Sequence, residues 1–427
     1  MPDVVVRDTG ENLAQDLAAV FDYFGGVKKL IAGRKVLVKP NAVNFGPGQA
    51  TDVKFLEALF AILRDSGAGE ICLMEACTAG SLTRVVYRVL GYDKLCKKFN
   101  VRPVFLDEGK TSELMLEAED TPALISSFLQ ERLLDRRSEN FYLSVPRLKT
   151  HSMSHVTLGI KNQQGLLAPI SRMRDHNFNL GRRLVKILQK FKPEFTLVEG
   201  ITATIYGHFP LLRDLEKSII NTRVVLGGDD VVAVDTVGAK IFGYDSSEID
   251  HIRIAGELGL GCADLNKIKI IGSLDRFKTR YPYLPDLHPP ANVRCIYGKE
   301  RACVQGCRGN TEISIDMFSS DYHGKRGFNF ICGKGIDKKE LENLDGNFLV
   351  VGPCAAEEVG EYLKSKYRGR KIFIVPEHND LASMSGKVVR LMRPNILGIV
   401  PLSPLTSVNL FIRARLNGSF ARLINFF

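Results

Sequence analysis

Nowhere in the 427 residues is there an uninterrupted apolar run approaching the roughly 20 residues that span a bilayer, so no transmembrane helix is expected. The start, Met1-Pro2-Asp3-Val4, has neither the basic nor the apolar stretch of a secretory signal. The nine cysteines are odd in number and scattered, which argues against a disulfide framework and for a reducing compartment. A cytoplasmic location is expected. No segment repeats at the periods of solenoids or propellers. The Gly-Lys-Ser/Thr of a P-loop is missing, as is the Cys-x2-Cys-x2-Cys spacing of ferredoxins. Acids are missing in two places. From 381 to 427 there is no Asp or Glu, against Lys387, Arg390, Arg393, Arg413, Arg415 and Arg422. Between 161 and 192 eight Lys and Arg face one acid, Asp175. No aromatics interleave with these charges, so no nucleic-acid partner is expected. The 161–192 run is read as steering an anionic ligand, or as a solvated helix face. The acid-free tail suits peripheral contact with a membrane surface, or docking on the core.

What is present is ordinary globular composition, 45% hydrophobic and 25% charged, with a net charge of +10. The length holds two or three domains. Apolar runs predict strands at 4–7, 35–39, 70–75, 102–106, 141–145, 195–199, 223–226 and 267–271. Helical spacing predicts helices at 11–31, 53–65, 82–90, 231–242 and 249–258. Alternation of the two predicts an α/β fold, doubly wound, with a mostly parallel sheet core and a smaller C-terminal Cys-bearing αβ module. The Pro-rich run 281–290 marks a boundary, giving a core domain 1–285 with a Lys/His cleft, a Cys-bearing module 291–380 and an apolar basic tail 381–427.

The densest chemistry lies at 145–165, a polar loop expected after the strand 141–145. Lys149, His151, His155 and Lys161 carry groups for proton transfer near neutral pH and for holding an anion. The alternative is ordinary loop hydrogen bonding. His151 and His155 would share a metal only on a helix, which Val156-Thr157-Leu158 oppose. Lys39-Pro40-Asn41, followed by a Gly/Pro loop and a helix start, reads as an anion cradle or as a plain strand–loop–helix connection. Ligands collect beyond the carboxyl ends of parallel strands, which puts Lys39, Asn41, Thr51, Asp52 and Glu75 on the same rim as 149–162. Thr51 or Asp52 also serves as N-cap for 53–65. Asp229, Asp230 and Asp235 would bind a hard metal, orient a substrate or simply cap a helix. Cys303, Cys307, Cys332 and Cys354, with glycines nearby, would hold an iron–sulfur cluster or zinc, or remain free buried thiols.

Four blocks carry a resemblance: Val38-Lys39-Pro40-Asn41, Pro146-Arg147-Leu148-Lys149-Thr150-His151, Thr157-Leu158-Gly159-Ile160-Lys161-Asn162-Gln163-Gln164-Gly165, and Gly228-Asp229-Asp230-Val231-Val232-Ala233-Val234-Asp235. Over roughly 36–272 the chain resembles the domain-of-unknown-function 362 family. The resemblance implies a cytosolic prokaryotic α/β protein, often linked to iron–sulfur centres, with no settled general reaction. Asp230 stands where the family usually has Pro, and Glu199-Gly200 where it has Asp-Gly. The ferredoxin-like double Cys motif of many members is missing here. The region 303–354 is similar instead to a C-terminal Cys module seen beside this domain, which implies a 4Fe-4S type of cluster. The His, Thr and Lys arrangement also resembles, distantly, the nickel-pincer lactate racemase. That likeness implies Lys161 on cofactor or substrate and His151 or His155 on proton transfer.

The reading that follows is a cytosolic enzyme acting on a small anionic metabolite, a carboxylate or phosphate compound. Lys39, Lys149 and Lys161 would hold the anion, His151 or His155 would move the proton, and Asp229 and Asp235 would orient the base or a metal. Asn41, Thr51, Asp52, Glu75, Asn162, Glu199 and His208 would complete the binding rim. The alternative is a non-catalytic iron–sulfur electron carrier or metallocentre scaffold with a redox protein partner.

Overall fold

The computed structural model describes residues 1–396 and 398–424; Leu397 and residues 425–427 of the tail lie outside the described residues. In chain order the strands are β1 (Asp3–Asp8), β2 (Lys35–Pro40), β3 (Ile71–Glu75), β4 (Arg102–Phe105), β5 (Thr111–Leu114), β6 (Ala123–Ser126), β7 (Asn140–Val145), β8 (Arg147–His151), β9 (His155–Thr157), β10 (Phe195–Thr204), β11 (Ile219–Gly228) and β12 (Lys269–Ile271). Four more follow: β13 (Val293–Tyr297), β14 (Phe328–Cys332), β15 (Phe348–Val351) and β16 (Ile372–Val375). The large sheet has the order β12-β1-β11-β10-β7-β2-β3-β4. Along that path only β11 runs against its neighbours. Helices cover both faces, as the α/β reading requires. Val36 and Val38 of β2 pack with Phe55, Leu56 and Leu59 of the helix Val53–Asp65. Leu37 between them packs on the other face with Ile187 of the helix Leu180–Lys190 and with Phe191 just beyond it. A strand buried on both faces reads as a continuous apolar run, which is why β2, β3 and β7 were visible in the sequence.

Two local expectations change. The helix expected over 11–31 is two, Leu13–Tyr23 and Val27–Ile31. Gly25 and Gly26 break it with φ of 92° and 84°, a left-handed conformation that side chains disfavour. The polar loop expected after 145 is a hairpin. Pro146 has no N–H and ends β7, but its carbonyl accepts Glu199 N at 2.8 Å. Beyond it β8 continues along β10, with Arg147 opposite Glu199 and Lys149 opposite Thr204. β9 then folds back, pairing Lys149 with Thr157 and His151 with His155. The extended β10 has an edge to satisfy past the end of β7, and β8 supplies it.

The C-terminal sheet is parallel in simple order, β13-β14-β15-β16. The helices Cys307–Ser320 and Leu381–Met392 lie on one face through Ile315, Phe318, Met384 and Val388. The last helix, Pro404–Leu416, returns to the first domain, where Leu410 and Ala414 pack on Leu82 and Val85.

Glu199 forms a buried ion pair across the strands. Arg147 Nη1 donates to its Oε2 at 2.5 Å, and Arg147 Nη2 donates to Thr202 Oγ1 at 2.5 Å. Removing one partner strands a guanidinium in the sheet. Glu199→Ala is therefore expected to lower unfolding free energy by about 3–5 kcal/mol in urea titrations. A loss under about 1 kcal/mol would mean that the pair is not buried in solution.

Candidate functional site

The carboxyl ends of β2 and β3 deliver Lys39 and Glu75 to one point. Lys39 Nζ donates to Glu75 Oε2 at 3.0 Å, to Asn162 Oδ1 at 3.1 Å and to the Pro40 carbonyl at 3.2 Å. All three ammonium protons are thus engaged. Glu75 also accepts Ala42 N at 3.0 Å and Ala76 N at 2.9 Å. Asn162 Nδ2 donates to the Lys39 carbonyl and to Ser144 Oγ on β7. Gly165 closes over this knot. A Cβ there would lie 2.5 Å from Glu75 Oε1 and 2.8 Å from Lys39 Nζ, so the backbone approaches because the residue is glycine.

Asn162 and Lys161 sit on a four-residue helix, Gly159–Asn162. So short a helix is not stable alone. Asp235, in the helix Val231–Ile241, accepts Gly159 N at 2.7 Å and Ile160 N at 2.8 Å. Burial pushes its carboxyl up to about 8, against the lowering effect of those two bonds. Asp235 therefore positions the lysine and asparagine through the backbone.

Two further lysines face the same space without a carboxylate. Lys149 Nζ donates to the Gln49 carbonyl at 3.0 Å, and burial holds its ammonium well below the ordinary lysine range, helped by Arg147 and Lys161. Lys161 Nζ donates to Gln164 Oε1, and burial, with Arg172 nearby, pushes it down to about 7. Arg172 spends its donors on the carbonyls of Leu167, Cys77 and Gly165. Among the described residues neither Lys149 nor Lys161 has an acidic partner within 4.0 Å.

Three histidines join them. The rings of His151 and His208 stack with centroids 3.7 Å apart and planes 3° apart. Burial first, then mutual repulsion and the lysines, hold His151 well below the ordinary range; burial and the lysines do the same for His208. His151 Nδ1 accepts Met153 N at 3.1 Å, which leaves the proton of the neutral ring on Nε2. His176 Nδ1 meets the Gln305 carbonyl at 2.8 Å, so it donates and Nε2 is the acceptor; burial pushes this ring down to about 3.

These groups line a cavity of about 360 Å³. Its opposite wall comes from the C-terminal module and is largely apolar, with Ile313, Met317, Phe318, Leu381 and Ile399. The lining holds Lys39, Lys149, Lys161 and Arg172 against two acids, Glu75 and Asp321. Two buried lining acceptors, Asn41 Oδ1 and Gln49 Oε1, have no hydrogen-bond partner in the structure.

The structure therefore brings together Lys39, Asn41, Glu75, Lys149, His151, Lys161, Asn162 and His208 of the sequence-predicted rim. It places the others elsewhere. Thr51 Oγ1 bridges Asn41 N and the Val145 carbonyl behind the lining. Asp52 is the exposed N-cap of the helix Val53–Asp65. Glu199 is held by Arg147 in the sheet. His155, with φ of 62°, is outside the cavity lining and lies against Tyr283, ring centroids 4.1 Å apart. Asp229 is exposed, and its neighbour Asp230 caps the helix Val231–Ile241 through Val232 N and Ala233 N. Arg172, His176 and Gln49 were missed as site residues. The first two lie in the basic 161–192 run, whose excess charge was the only signal.

The four favoured cysteines share the carboxyl rim of the second sheet. Cys332 ends β14, Cys354 opens the helix Pro353–Lys366 after β15, and Cys303 and Cys307 follow β13. Burial raises the thiols of Cys303 and Cys307, and Cys354 raises both further. Gly352, φ 94°, is a cradle: a Cβ there would lie 2.9 Å from Cys307 Sγ. All nine cysteines are free. Among the described residues no three His, Cys, Asp or Glu side chains converge closely enough to hold a single metal ion.

Residues 36–240 match the family described as Domain of unknown function (DUF362). A thylakoid-associated protein of Synechocystis sp. is 24% identical over 260 residues, which cover 58% of this chain and 76% of that protein. No solved structure matches the chain. No helix among the described residues is long and apolar enough to cross a membrane.

Lys161 sets a pH dependence. Its folded pKa lies near 7, below the 10.5 of a free lysine. Between those values the unfolded chain holds a proton that the folded chain does not, so stability rises with pH across that window. Lys149 shifts in the same direction. Urea unfolding is expected to show higher stability at pH 9 than at about pH 7. Lys161→Met is expected to reduce that rise; an identical rise in the variant would place the Lys161 ammonium in solvent.

Proposed function

We propose that this protein, which carries the DUF362 domain over residues 36–240, is a cytoplasmic enzyme that binds a small anionic metabolite in the Lys149/Lys161 cavity and moves a proton on it. A carboxylate or phosphate compound fits the donors. The observation that carries the reading is the pair of buried lysines lining one cavity with no acid to neutralise them. A buried ammonium without a counter-charge is costly, and it is relieved either by losing its proton or by meeting an anion. Lys149 is the anchor in this reading, with the Nε2–H of His151 as a further donor. Lys39, already engaged with Glu75 and Asn162, ties the Gly159–Asn162 helix to β2. Lys161, poised near neutral pH, is the group that gives and takes the proton.

The Cys rim supports a second component. Four thiols at one strand rim match the ligand count of an iron–sulfur cluster, and Gly352 lets Cys307 Sγ come close to the backbone there. Cys303, Cys307, Cys332 and Cys354 would hold it, for electron transfer or for structure. The rival reading, an electron carrier or metallocentre scaffold docking a redox partner, rests on this rim alone. Nine free cysteines support the reducing cytoplasmic setting.

Sulfate tests the anion site, since it does not titrate near neutrality. Calorimetry is expected to show binding that weakens about tenfold or more from pH 6 to pH 9, as Lys161 loses its proton. In Lys161→Met the affinity falls and the pH dependence flattens. PH-independent binding that the variant retains would contradict the reading. Separately, protein purified without oxygen is expected to contain iron and acid-labile sulfide, both lost in Cys307→Ser and Cys354→Ser. Protein without iron would remove the cluster, and sulfate binding by that protein would leave the enzyme reading standing.

A further inference from the structure

The helix Pro404–Leu416 has apolar residues on two faces. Its inner face, Leu410 and Ala414, packs on Leu82 and Val85. Its outer face carries Leu405, Val408, Ile412 and Leu416, exposed by 85%, 56%, 49% and 81%. Spacings of three, four and four put these side chains in one stripe along the helix. Phe411 lies at the edge of the stripe, and Ile396 and Val400 are exposed just before the helix. Seven of the fifteen large hydrophobic residues exposed among the described residues thus fall within 396–416. A scattered exposed leucine needs no explanation, whereas a contiguous stripe marks a surface that something covers.

Charge says what covers it. Arg413 and Arg415 are exposed and flank the stripe on opposite sides. No Asp or Glu occurs from 381 onward. A second copy of this chain is a poor occupant: a two-fold contact would set the same arginines against each other with no acid on the helix to meet them. An apolar stripe bordered by arginines suits a surface that is apolar inside and anionic at its edge, which describes a leaflet of acidic phospholipid. The helix has 13 residues, enough to lie along such a surface and too few to cross it.

We propose that the helix Pro404–Leu416 docks flat on an anionic lipid membrane, with Leu405, Val408, Ile412 and Leu416 among the acyl chains and Arg413 and Arg415 at the phosphates. The inference is independent of the cavity's chemistry. Ile399 and Val400, next to the helix, also line the cavity, so docking brings that wall close to the lipid.

The test is co-sedimentation of the full chain with vesicles of phosphatidylcholine alone and with about one third phosphatidylglycerol. The chain is expected to sediment with the anionic vesicles and to stay in solution with the neutral ones. Leu405→Asp combined with Ile412→Asp is expected to reduce the bound fraction about tenfold or more, and Arg413→Glu with Arg415→Glu to do the same. Both sites are exposed, so melting temperatures should match the parent. If the Asp pair melts lower, Val408→Ser with Leu416→Ser replaces it. The proposal is overturned if the parent chain stays in solution with both vesicles, or if the stripe variants bind as the parent does. It is also overturned if light scattering shows a dimer that the stripe variants dissociate while no vesicle binding occurs.

Discussion

Glu75 is the carboxylate on which the cavity's charge balance turns. It is buried and accepts three hydrogen bonds, from Lys39 Nζ, Ala42 N and Ala76 N. Two parallel strands and the Gly159–Asn162 helix are locked together through it, because Lys39 also grips Asn162. The ion pair of Glu75 is with Lys39, and among the described residues it makes none with Lys149 or Lys161. The same packing that fixes the scaffold therefore leaves two buried ammonium groups without a carboxylate beside them. Burial drives both toward neutrality, and an incoming anion would reverse that shift. The electrostatics of the site follow from two lining acids, Glu75 and Asp321, being fewer than the four cations Lys39, Lys149, Lys161 and Arg172.

The rest of the architecture serves that space. Asp235 holds the short helix by its backbone, Arg172 ties three loop carbonyls, and the β8–β9 hairpin sets Lys149 and His151 on strands. Strand-borne groups are held more rigidly than loop-borne ones, which suits a site whose pKa values depend on burial. The C-terminal module closes the opposite side with aliphatic and aromatic groups interspersed with Asn310, Ser314, Asp321, Asn379 and Ser385, so the lysines and Arg172 all lie on the first wall.

How much of this was legible in the sequence depended on whether the cause was local. β2, β3 and β7 are short apolar runs buried on two faces, and composition alone revealed them. The helix Val53–Asp65 carried its own cap in Asp52 and began where that cap predicted. The β8–β9 hairpin was read as a loop because its reason for existing is the edge of β10, some fifty residues later in the chain. The left-handed backbone at His155, φ 62°, was equally out of reach of the sequence pattern; His155 lies against Tyr283 while its ladder partner His151 lines the cavity. The match over residues 36–240 covers the Lys149–Lys161 block and ends before the cysteines, so the resemblance located the cavity better than the Cys rim. Asp235 was singled out by its motif, and its work on two backbone N–H groups needed three-dimensional contact to see. Arg172 and His176 stood in a run whose charge was noticed but whose folding back was not encoded at short range.

The central claim is that two buried lysines without an acidic partner make this cavity a site for an anion. The most direct measurement is an NMR titration of lysine Cε signals, assigned with Lys161→Met and Lys149→Met, without ligand and with saturating sulfate. The account predicts that Lys161 titrates near 7 in the free protein, that Lys149 also titrates below 10.5, and that sulfate raises both. Lysines that titrate near 10.5 with or without sulfate would contradict it, since they would be solvated and would need no anion.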